Sequence, residues 1–257
     1  MSDMFGLEII SFETGGITSI ASSEREVVES YLPRRYRSVL YGINHTEPLV
    51  FRLVAGSCRP LSAEMQMAIN RWLIGQRAYA PLRIVQDDME SVYYNALITN
   101  LEYTSFGNYA FAISATVHCD SPYAWTLDEV IERTYAPSIS PKGIDIYNSS
   151  DVLGFVYPDV IIKADTSLSQ FVGVGNTASG DTGDANRFMV TELAAGRITT
   201  INVRGENRIL TCDSPGFKLS QFNKRWIRLA PGMNHLVLHG AQTYIKITFR
   251  TPKIIGG

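Results

Sequence analysis

The chain has 257 residues, is 45% apolar and 19% charged, and carries a net charge of −2, which allows two ordinary domains or one large β domain and excludes a disordered polymer. No apolar run approaches the roughly 20 residues that cross a bilayer, and Met1-Ser2-Asp3-Met4-Phe5 lacks the basic start of a secretory signal, so neither a membrane partner nor export is expected. Residues 1–137 hold 10 Arg and no Lys against 16 carboxylates, a net of −6, and residues 138–257 hold 7 Arg and 6 Lys against 9, a net of +4; the acidic front half argues against gripping nucleic acid, which needs clustered cations, and leaves open only the repulsion of DNA through a wide pore.

Residues 5–11 alternate weakly and read as a first strand. Residues 21–36 are charged and aromatic and end in Arg34-Arg35-Tyr36-Arg37. They read as a solvated loop, with an arm reaching a neighbouring subunit as the alternative. Next, Leu49, Phe51 and Leu53 share one strand face, opposite Val50, Arg52 and Val54. A helix follows, with Ser62 as N-cap, Glu64 in the first turn where its charge suits the dipole, and Gly75 as the stop. Leu61, Met65, Ala68, Ile69, Trp72 and Leu73 keep the helical period, and this stripe reads as core.

Residues 92–103 favour β structure on both faces through Val92, Tyr93, Tyr94, Leu97, Ile98, Leu101 and Tyr103, which predicts a strand covered on both sides. Ser105-Phe106-Gly107-Asn108 supplies a turn, and the alternation from Tyr109 to Cys119 predicts the returning strand. Arms of about ten residues exceed the usual five or six and suit a wall that neighbouring copies complete. Pro137-Ser138-Ile139-Ser140-Pro141 reads as a linker between a domain over 1–137 and another over 138–257. Beyond it, short apolar runs at 144–147, 159–164, 186–191, 198–203, 207–212, 225–229, 235–238 and 243–249 predict an antiparallel sandwich. In the last run Ile245, Ile247 and Phe249 face inward, and Lys246, Thr248 and Arg250 outward.

Candidate chemistry is sparse. Gly173-Val174-Gly175-Asn176-Thr177-Ala178-Ser179-Gly180 lacks the Gly-Lys-Ser/Thr of a phosphate loop and has no helix after it, so it reads as a mobile hairpin loop. Asp181, Asp184 and Asn186 do not match a calcium loop. His235 and His239 flank a strand, which puts them roughly 13 Å apart and out of reach of one metal. His118 and Cys119 point to opposite strand faces and cannot act as a nucleophile pair. Asp87-Asp88, Asp128-Glu129 and Glu132 read as turn and end charges rather than paired catalytic carboxylates. Cys58, Cys119 and Cys212 are odd in number and far apart, so free thiols are expected. No catalytic residue, cofactor or metal is expected. Trp226 and Tyr244 are the candidates for stacking on a sugar ring.

Several segments together carry a resemblance. Leu49–Val54, the helix 62–74, Pro81-Leu82-Arg83-Ile84-Val85 with Asp87-Asp88, the strand 92–103, and Val117-His118-Cys119-Asp120-Ser121-Pro122-Tyr123-Ala124 resemble the N-terminal domain of phage distal tail proteins. Pro158-Asp159-Val160-Ile161-Ile162 and Trp226-Ile227-Arg228-Leu229-Ala230-Pro231-Gly232-Met233-Asn234 are similar to that family's C-terminal galectin-like sandwich. The resemblance implies a mainly β chain: a tail-tube-like β-sandwich or split barrel with one α-helix, then a galectin-like antiparallel β-sandwich. It further implies a homohexameric ring at the tail tip, placed between the tail tube protein and the tail-associated hub protein. DNA would pass through its channel, and its outer domains would carry a receptor-binding protein. Such a protein belongs to the virion and assembles in the host cytoplasm. Phe51, Leu53, Trp72, Tyr93, Tyr94 and Tyr103 are expected in the ring's core or at its contacts. The alternative is a carbohydrate-binding sandwich module for host glycans, using Trp226 and Tyr244.

Overall fold

The computed structural model describes residues 5–9, 26–31, 36–44, 47–84 and 92–254. Arg34, Arg35 and the Asp87-Asp88 turn lie outside the described residues. The chain divides into two compact units, Met1–Trp125 with Ile254–Gly257, and Thr126–Lys253. This division precedes the break expected at Pro137, because Glu129–Thr134 pairs with Gln242–Phe249 and so belongs to the second unit's sheet.

The first unit comprises β1 (Glu8–Ile9), β2 (Glu26–Ser30), β3 (Val39–Asn44), β4 (Val50–Leu61), α1 (Ala63–Leu73), β5 (Ala80–Leu82), β6 (Val92–Phe106), β7 (Tyr109–Cys119) and β8 (Ala124–Thr126). Its main sheet runs β1-β4-β7-β6-β8, with β5 also on β6. β2 and β3 form a separate antiparallel ribbon where a solvated loop was expected. The β-branched run around Val27 and Val28, facing the alternation around Leu40 and Tyr41, accounts for it.

The sheet's core gathers in two clusters. One joins Phe51 and Leu53 of β4 to Tyr94, Val117 and Cys119. The other joins Ile69 and Leu73 of α1 to Leu7, Leu61 and Ile113. The helix starts where Ser62 Oγ accepts the Met65 N–H at 3.2 Å, and Glu64 and Arg71 sit at the ends that suit the dipole. It closes with the Ile74 and Gly75 N–H groups both donating to the Asn70 carbonyl, and glycine is required at 75 because a Cβ there would stand 2.2 Å from the Arg71 carbonyl oxygen.

The second unit comprises β9 (Glu129–Thr134), β10 (Lys142–Asn148), β11 (Asp159–Asp165), β12 (Val172–Asn176), β13 (Phe188–Val190), β14 (Ile198–Arg204), β15 (Ile209–Cys212), β16 (Gly232–His239) and β17 (Gln242–Phe249). They form two sheets, β10-β16-β12-β13 and β15-β14-β11-β17-β9. Both contribute to one core that includes Ile146, Ile162, Phe188, Ile201, Leu236 and Ile247. The chain is therefore mainly β with antiparallel sheets, as expected. Two expectations are corrected. Residues 225–229 make no strand, only a bridge from Leu229 to Val156, and Lys224 takes a φ of 62° that interrupts extended chain. Val172–Asn176 is a fully buried strand rather than part of a mobile loop. Its glycines make room for neighbours: a Cβ on Gly175 would sit 2.8 Å from the Asp181 carbonyl oxygen, and one on Gly173 would sit 3.2 Å from Arg187 Nε.

Candidate functional site

The residues singled out in the first unit fall into two groups. Phe51, Leu53 and Tyr94 are core: the Phe51 and Tyr94 rings lie 5.4 Å apart, and Tyr94 is almost wholly buried. Burial, with Cys119 beside it, pushes the Tyr94 hydroxyl up to about 12. Tyr103 and Tyr93 are half-buried. The Tyr103 hydroxyl lies 3.0 Å from the Gln66 carbonyl oxygen and 3.1 Å from Asn70 Oδ1, donating to one at a time and tying β6 to α1.

Trp72 behaves differently from the core stripe it was assigned to. It is 38% exposed. The buried ridge of α1 is the narrower Ile69/Leu73 line, while Trp72 and Ala68 lie to one side of it. Trp72 meets the Phe5 ring at 5.9 Å, and Met67 and Ile74 are exposed as well.

The β6–β7 hairpin ends in a second apolar feature. Phe106 and Tyr109 are cross-strand partners around Gly107-Asn108. Gly107 has φ +62°, the backbone of a type II′ turn, which only glycine takes without strain. The pair is 85% and 63% exposed. β6 is thus covered near Tyr94 and Ala96 but open along its distal half, rather than covered throughout. The β2–β3 ribbon adds Leu40 and Tyr41, 58% and 65% exposed. Among the described residues, none of the ribbon's side chains enters a core cluster.

In the second unit the polar candidates are already engaged. The Asp181 carboxylate binds Arg228 through two bonds of 2.8 and 2.9 Å, which hold the Arg228 guanidinium above its ordinary range. Asp184 pairs with Arg187 at 2.6 Å. His235 Nδ1 lies 2.6 Å from Asp145, whereas burial lowers His239. Cys119 is buried and its thiol is pushed up to about 12, chiefly by desolvation; Cys58, Cys119 and Cys212 are free. Among the described residues no group of three or more His, Cys, Asp or Glu could hold a metal ion. Trp226 stands edge-on to Phe222 at 5.0 Å. Tyr244 donates to Glu132 Oε1 at 2.7 Å and has Lys163 over its ring.

A family model described as phage tail protein N-terminal domain matches residues 1–121. A second, described as phage tail C-terminal domain, matches residues 123–249. The chain belongs to the phage tail proteins. Such a protein is a component of the virion. Among curated proteins none matches the chain. The crystal structure of the SPP1 Dit protein, described as a paradigm of the hub adsorption apparatus in phages infecting Gram-positive bacteria, superposes with a TM-score of 0.62 at 13% identity, covering 94% of this chain and 93% of that one. The two share a fold. The phage P2 baseplate in its activated conformation with calcium gives a TM-score of 0.49 at 10% identity, over 97% of this chain and 92% of that one.

The exposed apolar features of this tail protein were partly invisible in its sequence. Trp72 and Phe106 are ordinary members of apolar patterns, and only the tertiary arrangement leaves them uncovered. The ribbon could have been found from Val27-Val28 and the alternation after Ser38.

Proposed function

We propose that this chain is a distal tail protein. Six copies close into a ring that joins the tail tube protein to the tail-associated hub protein and leaves a channel for DNA. The first unit makes the ring. The second unit, a galectin-like sandwich in this reading, faces outward and carries a receptor-binding protein. The ring assembles in the host cytoplasm, needs no cofactor, and has a structural rather than a catalytic role. The observation that carries the reading is the uncovered apolar surface of the first unit: Trp72 on α1, the Phe106/Tyr109 pair, and the β2–β3 ribbon. Large exposed apolar patches on a soluble chain mark sites that a partner covers. Closed cyclic symmetry lets identical copies cover one another's patches without leaving an open end. Family membership and the fold shared with SPP1 Dit support the same reading, and the net charge of −6 over residues 1–137 suits a wall past which DNA slides.

Native mass spectrometry with negative-stain class averages tests it. The wild type is expected as a six-fold ring. The double variant Trp72→Asp/Phe106→Asp is expected to stay folded, because both side chains are exposed, and to run as a monomer. A wild type that stays monomeric at high concentration, or a variant that assembles like wild type, would sink the proposal.

A further inference from the structure

The second unit carries a groove that plays no part in the proposed ring. It lies on one face of the sheet β15-β14-β11-β17-β9 and has a volume of about 510 Å³, inside the roughly 300–1,000 Å³ range of small-molecule sites. Ile162, Ile201, Val203 and Ile247 turn the other way, into the core; their neighbours Ile161, Asn202, Arg204, Lys246 and Thr248 line the groove. Cross-strand register sets Thr211, Asn202, Ile161 and Lys246 in one row over four strands. At about 4.8 Å per strand the row spans about 14 Å. Arg204 is paired with Ile209, and Thr248 with Asp159, alongside that row.

The groove's cations differ from the five arginines and lysines of this unit that are held in ion pairs. Arg187, Arg197, Arg228, Arg250 and Lys253 each pair with a carboxylate. Among the described residues Arg204 and Lys246 have no ion-pair partner, and the side chains of Asn202, Thr211 and Thr248 make no hydrogen bond. The lining carboxylate, Asp159, accepts the Gly205 N–H at 2.9 Å through Oδ1. The groove thus offers two unpaired cations, an amide and two hydroxyls, above a floor of Ile161 and Ile209.

We propose that this face binds an acidic polysaccharide. Arg204 and Lys246 take its anionic groups, Asn202, Thr211 and Thr248 its hydroxyls, and the two isoleucines the apolar faces of the sugar rings. β14, β11 and β17 are hydrogen-bonded to strands on both sides, so a peptide cannot add here as a strand, and recognition runs through side chains. A lone small anion would leave most of the row unused.

The proposal stands apart from the ring and is tested on the full chain by calorimetric titration. The probes are polygalacturonate, phosphorylated dextran, neutral dextran and polyglutamate. Binding of at least one acidic glycan is expected, with none to neutral dextran. Arg204→Gln/Lys246→Gln should weaken it by about tenfold or more, the loss of charge-assisted hydrogen bonds. Arg225→Gln, which removes a charge outside the groove, should bind as wild type, and circular dichroism should show all variants folded. Failure of both acidic glycans to bind, equal binding by the double variant, or equally tight binding of polyglutamate would each overturn the assignment.

Discussion

Phe51 and Tyr94 show how much of the first unit rests on a few side chains. Their rings meet at 5.4 Å inside the cluster that also holds Val117 and Cys119. Phe51→Ala should cost about 3–5 kcal/mol, the transfer and cavity terms together, read as a lower denaturation midpoint for this unit. Tyr94→Lys should prevent the unit from folding, since an unpaired buried charge costs several kcal/mol. Cys119 adds a pH dependence. Its thiol rises from 9.0 to about 12 and the Tyr94 hydroxyl from 10.0 to about 12, both chiefly by desolvation. The folded state holds both protons more tightly than the unfolded chain does. The stability that depends on them is complete below about pH 9 and is lost as pH rises from there through about 12. Thermal melts across that window should show the decline. Thiol labelling should modify exposed Cys58 readily and reach buried Cys119 only on unfolding.

The helix α1 is the element most plainly written in the chain, because its signals are local. Ser62→Ala removes the cap on the Met65 N–H and should cost about 0.5–2 kcal/mol by chemical denaturation. The alternation of β17 was legible for the same reason: the period of two follows directly from which face is buried. β7 was legible as a strand, but it is buried on both faces from Ala112 to Ala115, which its alternation did not show. Three features were not legible. β12 holds Gly173 and Gly175, which mimic a loop in composition; their purpose shows only once Arg187 and the Asp181 carbonyl are seen to approach that close. β9 is a short edge strand whose pairing partner lies more than a hundred residues away. The run 225–229 is apolar because Ile227 and Leu229 are buried as irregular chain, and periodicity cannot separate that from a strand. Of the candidate sites, core aromatics could be read from pattern. The exposure of Trp72 and the groove at Arg204 and Lys246 could not, because both depend on which elements the tertiary fold leaves uncovered.

The whole chain is two compact units, and no buried residue is shared between the core clusters of one and the core of the other. A chain covering residues 126–253 should therefore fold alone, with a β-type circular dichroism spectrum and a cooperative melt; an unstructured product would show that its core is not self-sufficient. The first unit alone carries the apolar surface assigned to the ring. The β2–β3 ribbon makes the terms of that association specific. Two strands without a third, or a core beneath them, are at best marginally stable in water. Docking onto a neighbour would then bury Leu40 and Tyr41 and settle the ribbon's backbone in one step. Assembly of this kind is recognisable by calorimetry: its heat-capacity change is negative and shrinks when those two side chains become serine. The ribbon would act as a ratchet in tail construction, with each arriving subunit stiffening the perch for the next.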